Sequence, residues 1–218
     1  MKAMILAAGR GERMRPLTDY TPKPLLKVGG KSLIVWHLER LAKAGFKEVV
    51  INHAHLGEQI EQALGDGKQW GVSIQYSPEK VALETAGGIA NALYLLGSES
   101  FLVVNADTFT DVDFSALSIT KPNLAHLVMV DNPPQHVHGD FALHQGKLSE
   151  NGHPKLTFSG VGIYHPDLFA SVVRGEAAKL TPLLNAAMTK GLVTGQHHQG
   201  VWHDIGTPQR LAELDASL

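Results

Sequence analysis

Apolar and polar positions run through the first hundred residues in two alternating rhythms. Lys2–Ala7 is a short apolar run that ends in Ala-Ala-Gly, the pattern of a buried strand delivering the chain to a loop. From Leu33 the apolar positions fall at Leu33, Val35/Trp36, Leu38 and Leu41/Ala42, which predicts a helix over Leu33–Ala44. Ser32 stands at its N-cap and Gly45 stops it. The same reading gives a strand at Phe46–Ile51, a helix at Leu56–Leu64, a strand at Val72–Tyr76, a helix over about Gly87–Leu96 and a very apolar strand at Phe101–Val104. Strands and helices in that order imply βαβ units around a parallel sheet. After Asp113 the rhythm changes: Leu124–Val130, Gly139–Leu148 and Leu156–Tyr164 read as strands with few helices between them. Helices resume at Leu180–Met188 and Pro208–Leu214. The fold class expected is α/β: one Rossmann-like domain over residues 1–218, with a mixed, mainly parallel sheet flanked by helices.

Composition narrows the function classes. A formal net charge of -2 argues against nucleic acid or a membrane surface as a partner held by bulk charge. Cysteine is absent, which excludes disulfides and thiolate metal sites and is compatible with a reducing compartment. The opening MKAMILAAGRGERMR places its apolar run ahead of its arginines, the reverse of a secretory signal, and no segment is apolar enough to span a bilayer. The expectation is a soluble, cytoplasmic protein. Twelve histidines invite a metal reading, yet pairs such as His53/His55, His136/His138 and His197/His198 lack ligand spacing with a third partner.

Residues 8–31 carry Gly9, Gly11, Pro16, Pro22, Pro24, Gly29 and Gly30, so a long loop with little regular structure follows the first strand. Loops of that length inside a compact domain usually carry function. Glycines there let backbone N–H groups approach phosphate oxygens, Arg13 can fork onto two oxygens, and Lys23 supplies a point charge. Two better-known phosphate motifs fail: Met14 occupies the third glycine position of a dinucleotide fingerprint, and Leu25 the first glycine position of a P-loop. A flexible surface loop with solvated arginines is the alternative. Downstream, Asp107 follows the buried strand 101–104, at the strand end where open α/β sheets bind ligands. Asp204 precedes the last helix, where Thr207 could be the cap and Asp204 only its neighbour.

The string Leu6-Ala7-Ala8-Gly9-Arg10-Gly11-Glu12-Arg13 followed by Pro22-Lys23-Pro24 resembles the signature of the sugar-1-phosphate nucleotidyltransferases, and the likeness runs through almost all of the chain. The resemblance implies the nucleotide-diphospho-sugar transferase (GT-A-like) fold, with residues 1–112 as the nucleotide half and 113–218 as the sugar half. It implies that the backbone of Leu6, Ala7, Ala8, Gly9 and Gly11 holds base and triphosphate. Arg13, Lys23 and Asp107 would form the catalytic set, and Asp107 and Asp204 would bind Mg²⁺. Base recognition would come from Glu79, Gly87 and Gly88, with Asn105 also on the nucleotide. For the sugar, Gly139 and Ser159 match the family pattern, while Glu150 and Lys155 (with Lys147) stand in for an acid and a lysine that relatives place just before strand 157–164.

The implied partners are a nucleoside triphosphate and a sugar 1-phosphate, with no nucleic acid or membrane, in a monomer or weak homodimer. A phosphate nucleophile is already ionised near neutral pH, so no catalytic histidine is expected. Thr157–Tyr164, Gly139–Phe141 and Trp202–Pro208 look most like the branch that joins UTP to N-acetylmuramate 1-phosphate in peptidoglycan recycling, and a chain ending at 218 fits that short branch. Transfer of GMP to mannose 1-phosphate, or of dTMP or UMP to glucose 1-phosphate, is the sister reading. A non-catalytic nucleotide-sensing subunit is the third, set against the presence of Arg13, Lys23, Asp107 and Asp204.

Overall fold

The computed structural model describes every residue, Met1–Leu218. In chain order the strands and helices are β1 (Ala3–Ala7), β2 (Lys27–Val28), β3 (Lys31–Ser32), α1 (Leu33–Lys43), β4 (Glu48–His53), α2 (Gly57–Leu64), β5 (Ser73–Pro78), α3 (Glu84–Leu96), β6 (Phe101–Asn105), β7 (Thr108–Thr110) and β8 (Ala125–Val130). There follow β9 (Phe141–His144), β10 (Lys147–Ser149), β11 (Lys155–Tyr164), α4 (Leu180–Thr189), β12 (Val193–His197), β13 (Trp202–Asp204) and α5 (Pro208–Ser217).

Nine strands form one sheet in the order β5-β4-β1-β6-β11-β8-β12-β10-β9. The first four are parallel, with α1, α2 and α3 on the crossovers that lead into β4, β5 and β6. β11 then enters antiparallel to both β6 and β8, and β12 runs parallel to β8. Alternation along β1 shows how the layers are made. Ala3 and Ile5 belong to a core with Leu38, Ile51, Val104 and Val161, while Met4 belongs to the opposite core with Ile89, Phe101, Leu127 and Leu184. A central strand apolar on both faces needs helices on both sides, so the molecule is a three-layer α/β/α sandwich. A third, smaller cluster (Met14, Leu26, Val28, Leu33, Phe109, Ile205, Leu214) pins the long loop and α5 beside the sheet.

Five local readings change. The long loop is built from short 3₁₀ turns at Glu12–Met14, Leu17–Asp19 and Lys23–Leu25, anchored by the fully buried Met14. Residues 139–148 are a hairpin: Gln145 (φ 49°) and Gly146 (φ 75°) reverse the chain between β9 and β10. β7, β12 and β13 have no apolar run long enough to announce them. α3 begins at Glu84, a turn earlier than its apolar periodicity suggests. Ser32 stands at the N-cap of α1 without a capping bond from its side chain, and the Leu33 N–H donates instead to the Leu26 carbonyl at 2.9 Å.

On α1, His37 is buried with neither ring nitrogen hydrogen-bonded, and burial lowers its pKa from 6.5 to about 4. The unfolded chain therefore takes up a proton that the fold refuses. Stability from this site is complete above pH 6.5 and is lost as pH falls towards 4, reaching about 2 kcal/mol at pH 5. His37→Leu should shrink the loss in urea midpoint between pH 7.5 and pH 5; an unchanged loss would show that His37 does not set it.

Candidate active site

The carboxyl ends of β1, β4 and β6 lie side by side, and the chain turns above them. Asn52, at the end of β4, accepts the Ala7 N–H (2.9 Å) and donates to Glu79 Oε1 (2.7 Å), while Glu79 Oε2 accepts the Leu83 N–H (2.9 Å). The end of β1, the end of β4 and the 79–83 segment are thereby tied into one wall. Burial raises the Glu79 pKa, opposed by the donors on Asn52 and Leu83 and by His53. A polar asparagine closing the apolar run Val49–Ile51 was the sequence signal for this knot.

Two cavities meet there. One, of about 390 Å³, is lined by the predicted Leu6, Ala7, Ala8, Gly9, Lys23, Glu79, Asn105 and Asp107, together with Asn52 and the Ala82–Thr85 segment. The other, of about 330 Å³, is lined by Arg13, Asn105, Asp107, Ser159 and Asp204, together with Gln135, His136, Thr157, Gly160 and Trp202. Asn105 and Asp107 border both. Gly11 does not line either cavity; its φ of +66° and the 2.9 Å that a Cβ would have to Thr18 Cγ2 show why the loop needs glycine to fold back towards Lys23.

The two acids come together through a short antiparallel pair. β7 and β13 align Thr108 with Asp204, and the Ile205 N–H donates to the Asp107 carbonyl at 2.9 Å. Each acid carries one cation of the chain: Lys23 Nζ lies 2.5 Å from Asp107 Oδ2, and Arg210 Nη1 lies 2.6 Å from Asp204 Oδ2. Lys23 is nearly buried, with 10% of its side chain exposed, while Asp107 is 34% exposed, so water reaches the pair from the Asp107 side. No third carboxylate or histidine joins the two acids into a larger cluster. Two hard oxygen donors fit Mg²⁺, which keeps waters and takes phosphate oxygens rather than filling its shell from the protein.

Other predicted residues lie elsewhere. Gly87 and Gly88 are inside α3: a Cβ on Gly87 would meet the Glu176 carbonyl at 2.4 Å, and one on Gly88 would meet Asn52 Nδ2 and Glu79 Oε1 at 2.8 Å. They make room for chain packing behind the wall, and Ala82–Thr85 face the cavity in their place. Gly139 (φ +61°) turns the chain beside Asn132, and its N–H donates to the His136 carbonyl at 3.3 Å. Glu150 is exposed after β10, and Lys155 starts β11; neither lines the second cavity. Lys147 Nζ is held by Asn123 Oδ1 and the Gly191 carbonyl. Ser159 and Trp202 do meet at the second cavity, where the indole N–H donates to the Ser159 carbonyl at 2.9 Å. His136, set aside in the sequence as one of a pair without ligand spacing, is steadied by Asp140 (3.0 Å), whose other oxygen accepts the Phe158 N–H.

A glycine-lined cleft with a buried lysine, joined through one carboxylate to a second polar cavity, is built to hold two anions end to end, and that is the requirement of nucleotidyl transfer. The nucleotidyl transferase family model matches residues 2–142, and the chain belongs to that family. It is 58% identical, over 99% of its own length and 97% of the relative's, to an N-acetylmuramate alpha-1-phosphate uridylyltransferase of Neisseria meningitidis serogroup B. A protein of that same name from Caulobacter vibrioides is 34% identical over 99% of this chain and 96% of its own. In three dimensions the fold is shared with a candidate glucose-1-phosphate thymidylyltransferase of Bacillus anthracis in complex with sucrose (TM-score 0.87, 23% identity, 100% of this chain and 94% of that one).

Proposed function

We propose that this chain joins UTP to N-acetylmuramate 1-phosphate, releasing pyrophosphate and UDP-N-acetylmuramate, in a cytoplasmic reaction that uses Mg²⁺. The observation that carries the reading is the 58% identity, over 99% of this chain, to a relative bearing that substrate in its name. The uridine end lies between the Leu6–Gly9 backbone and the Ala82–Thr85 segment, and the sugar lies in the cavity of Ser159, Thr157 and Trp202. The α-phosphate then falls at the seam beside Asp107.

Arg13 and Lys23 draw the two phosphates together, and Asn105 fixes the border between the two substrates. The sugar phosphate oxygen attacks the α-phosphorus in line, and pyrophosphate departs along the Lys23 side. Asp107 and Asp204 would hold Mg²⁺, which when bound neutralises charge on the reacting phosphates. No proton has to leave the nucleophile, so the chain's task is to align and to neutralise.

Pyrophosphate release should be measured for UTP, GTP and dTTP against N-acetylmuramate, glucose and mannose 1-phosphates. The UTP and N-acetylmuramate 1-phosphate pair should lead in kcat/KM by roughly 10-fold or more, the scale set by one well-placed pocket contact. A lead for glucose or mannose 1-phosphate would overturn the assignment.

A further inference from the structure

Arg210 belongs to neither cavity, yet its guanidinium reaches Asp204 twice. Nη1 donates to Asp204 Oδ2 at 2.6 Å and to the Asp204 main-chain carbonyl at 3.2 Å. One donor that grips both the side chain and the backbone of the same residue fixes the rotation of the carboxylate about its own chain. Oδ2 faces the guanidinium, and Oδ1 is left for another partner.

Arg210 is mounted on a helix fixed at both ends. It lies in the first turn of α5, where Thr207 accepts its N–H at 3.4 Å, and the helix is held by buried Leu214 and by Asp215, which accepts the Gly29 N–H at 2.7 Å. The residue between them is glycine for a local reason. A Cβ on Gly206 would lie 3.1 Å from Arg210 Nη1, 3.2 Å from Asp204 Oδ2 and 3.3 Å from Arg13 Nη2, so three charged groups close over a bare backbone.

We infer that Arg210 is a positioning residue that clamps Asp204 with one oxygen turned to the metal. The inference rests on the proposed role of Asp204 as a Mg²⁺ ligand. Partners of metal ligands typically carry 10–100-fold in metal affinity when they fix ligand orientation. Charge alone predicts otherwise, since a guanidinium beside a cation site repels the cation. Lysine separates the two effects: it keeps the positive charge, but its ammonium stops about one bond short of Nη1.

The test is Mn²⁺ binding, with Mn²⁺ alone as probe, followed by the EPR signal of the free ion in wild type, Arg210→Lys, Arg210→Gln and Asp204→Asn. The clamp predicts that Arg210→Lys binds Mn²⁺ roughly 10-fold more weakly than wild type. It also predicts that kcat returns towards wild type as metal is raised, with thermal midpoints close to wild type. Unchanged or tighter Mn²⁺ binding by Arg210→Lys would overturn the clamp. Arg210→Gln, which sheds the charge and keeps a donor, gives the same reading should the lysine variant fold poorly: binding weaker than wild type supports the clamp, and binding equal or tighter removes it. Asp204→Asn guards the underlying assignment. Wild-type Mn²⁺ affinity in that variant would mean that Asp204 is no ligand, whereas its loss there without any loss in the Arg210 variants would sink only the clamp.

Discussion

Asp107→Asn should reduce kcat for pyrophosphate release by on the order of 10³-fold or more, the scale for losing a group that neutralises charge in a phosphoryl or acyl transition state. The side chain stands at the border of both cavities, so no other acid can take its place at the reacting phosphorus. Asparagine has the same shape and can still accept from Lys23, and the Ile205 N–H to Asp107 carbonyl bond is untouched. What changes is the charge facing Lys23, whose side chain is 10% exposed. Asp107 itself is one-third exposed, so solvent softens the loss, and a fall of about 1–2 kcal/mol in stability is expected. UTP affinity measured without divalent metal should hold or rise, because an acid has been removed from among the phosphate-binding cations. A rate within about threefold of wild type would remove Asp107 from the chemistry; a collapse of UTP affinity would show that it serves binding instead.

The fold was legible because its signals are redundant. β1, β4 and β6 are apolar on both faces, as a central parallel strand must be, and the helices between them carry regular stripes. What escaped was held together by pairing rather than composition. β7 and β13 have three residues each, too few to show a period, yet their register sets Asp204 beside Asp107. Leu6–Gly9 and Lys23 from the string line one cavity together with Asn105 and Asp107, which come from the end of β6. Arg13 lies instead on the other, with Asp204, since the turn at Gly11 swings it away from β1. Gly87 and Gly88 are ambiguous in the sequence for a physical reason: a glycine pair near a helix start looks the same whether a ligand or the neighbouring chain needs the space, and here Glu176–Ala178 and the Asn52–Glu79 pair occupy the space a Cβ would take. His136 had no local signal at all, because its place depends on Asp140 and on β11 folding back against β9.

Asn52→Ala should be the most damaging single change outside the charged groups. Asn52 is buried at 3% exposure and serves two masters: its Oδ1 takes the Ala7 N–H, and its Nδ2 feeds Glu79 Oε1. Alanine leaves a buried backbone donor and a buried carboxylate oxygen without partners, at about 1–3 kcal/mol each. A total near 4 kcal/mol is a large share of the stability of a domain this size and corresponds to a fall of roughly 8–16 °C in thermal midpoint. Because Ala7 opens the glycine cradle and Glu79 holds the 79–83 wall through Leu83, the KM for UTP should rise with little change in kcat at saturation. Asn52→Asp sharpens the test. It restores an acceptor for Ala7 but sets a second carboxylate against Glu79, whose pKa burial already raises. Two acids at hydrogen-bonding distance share one proton, so the variant binds more protons folded than unfolded and gains stability as pH falls. Its thermal midpoint, relative to wild type at each pH, should improve from pH 8 to pH 5. Midpoints for Asn52→Ala within 2 °C of wild type, on the roughly 8–16 °C scale above, would mean that water replaces the amide and that the wall stands without it.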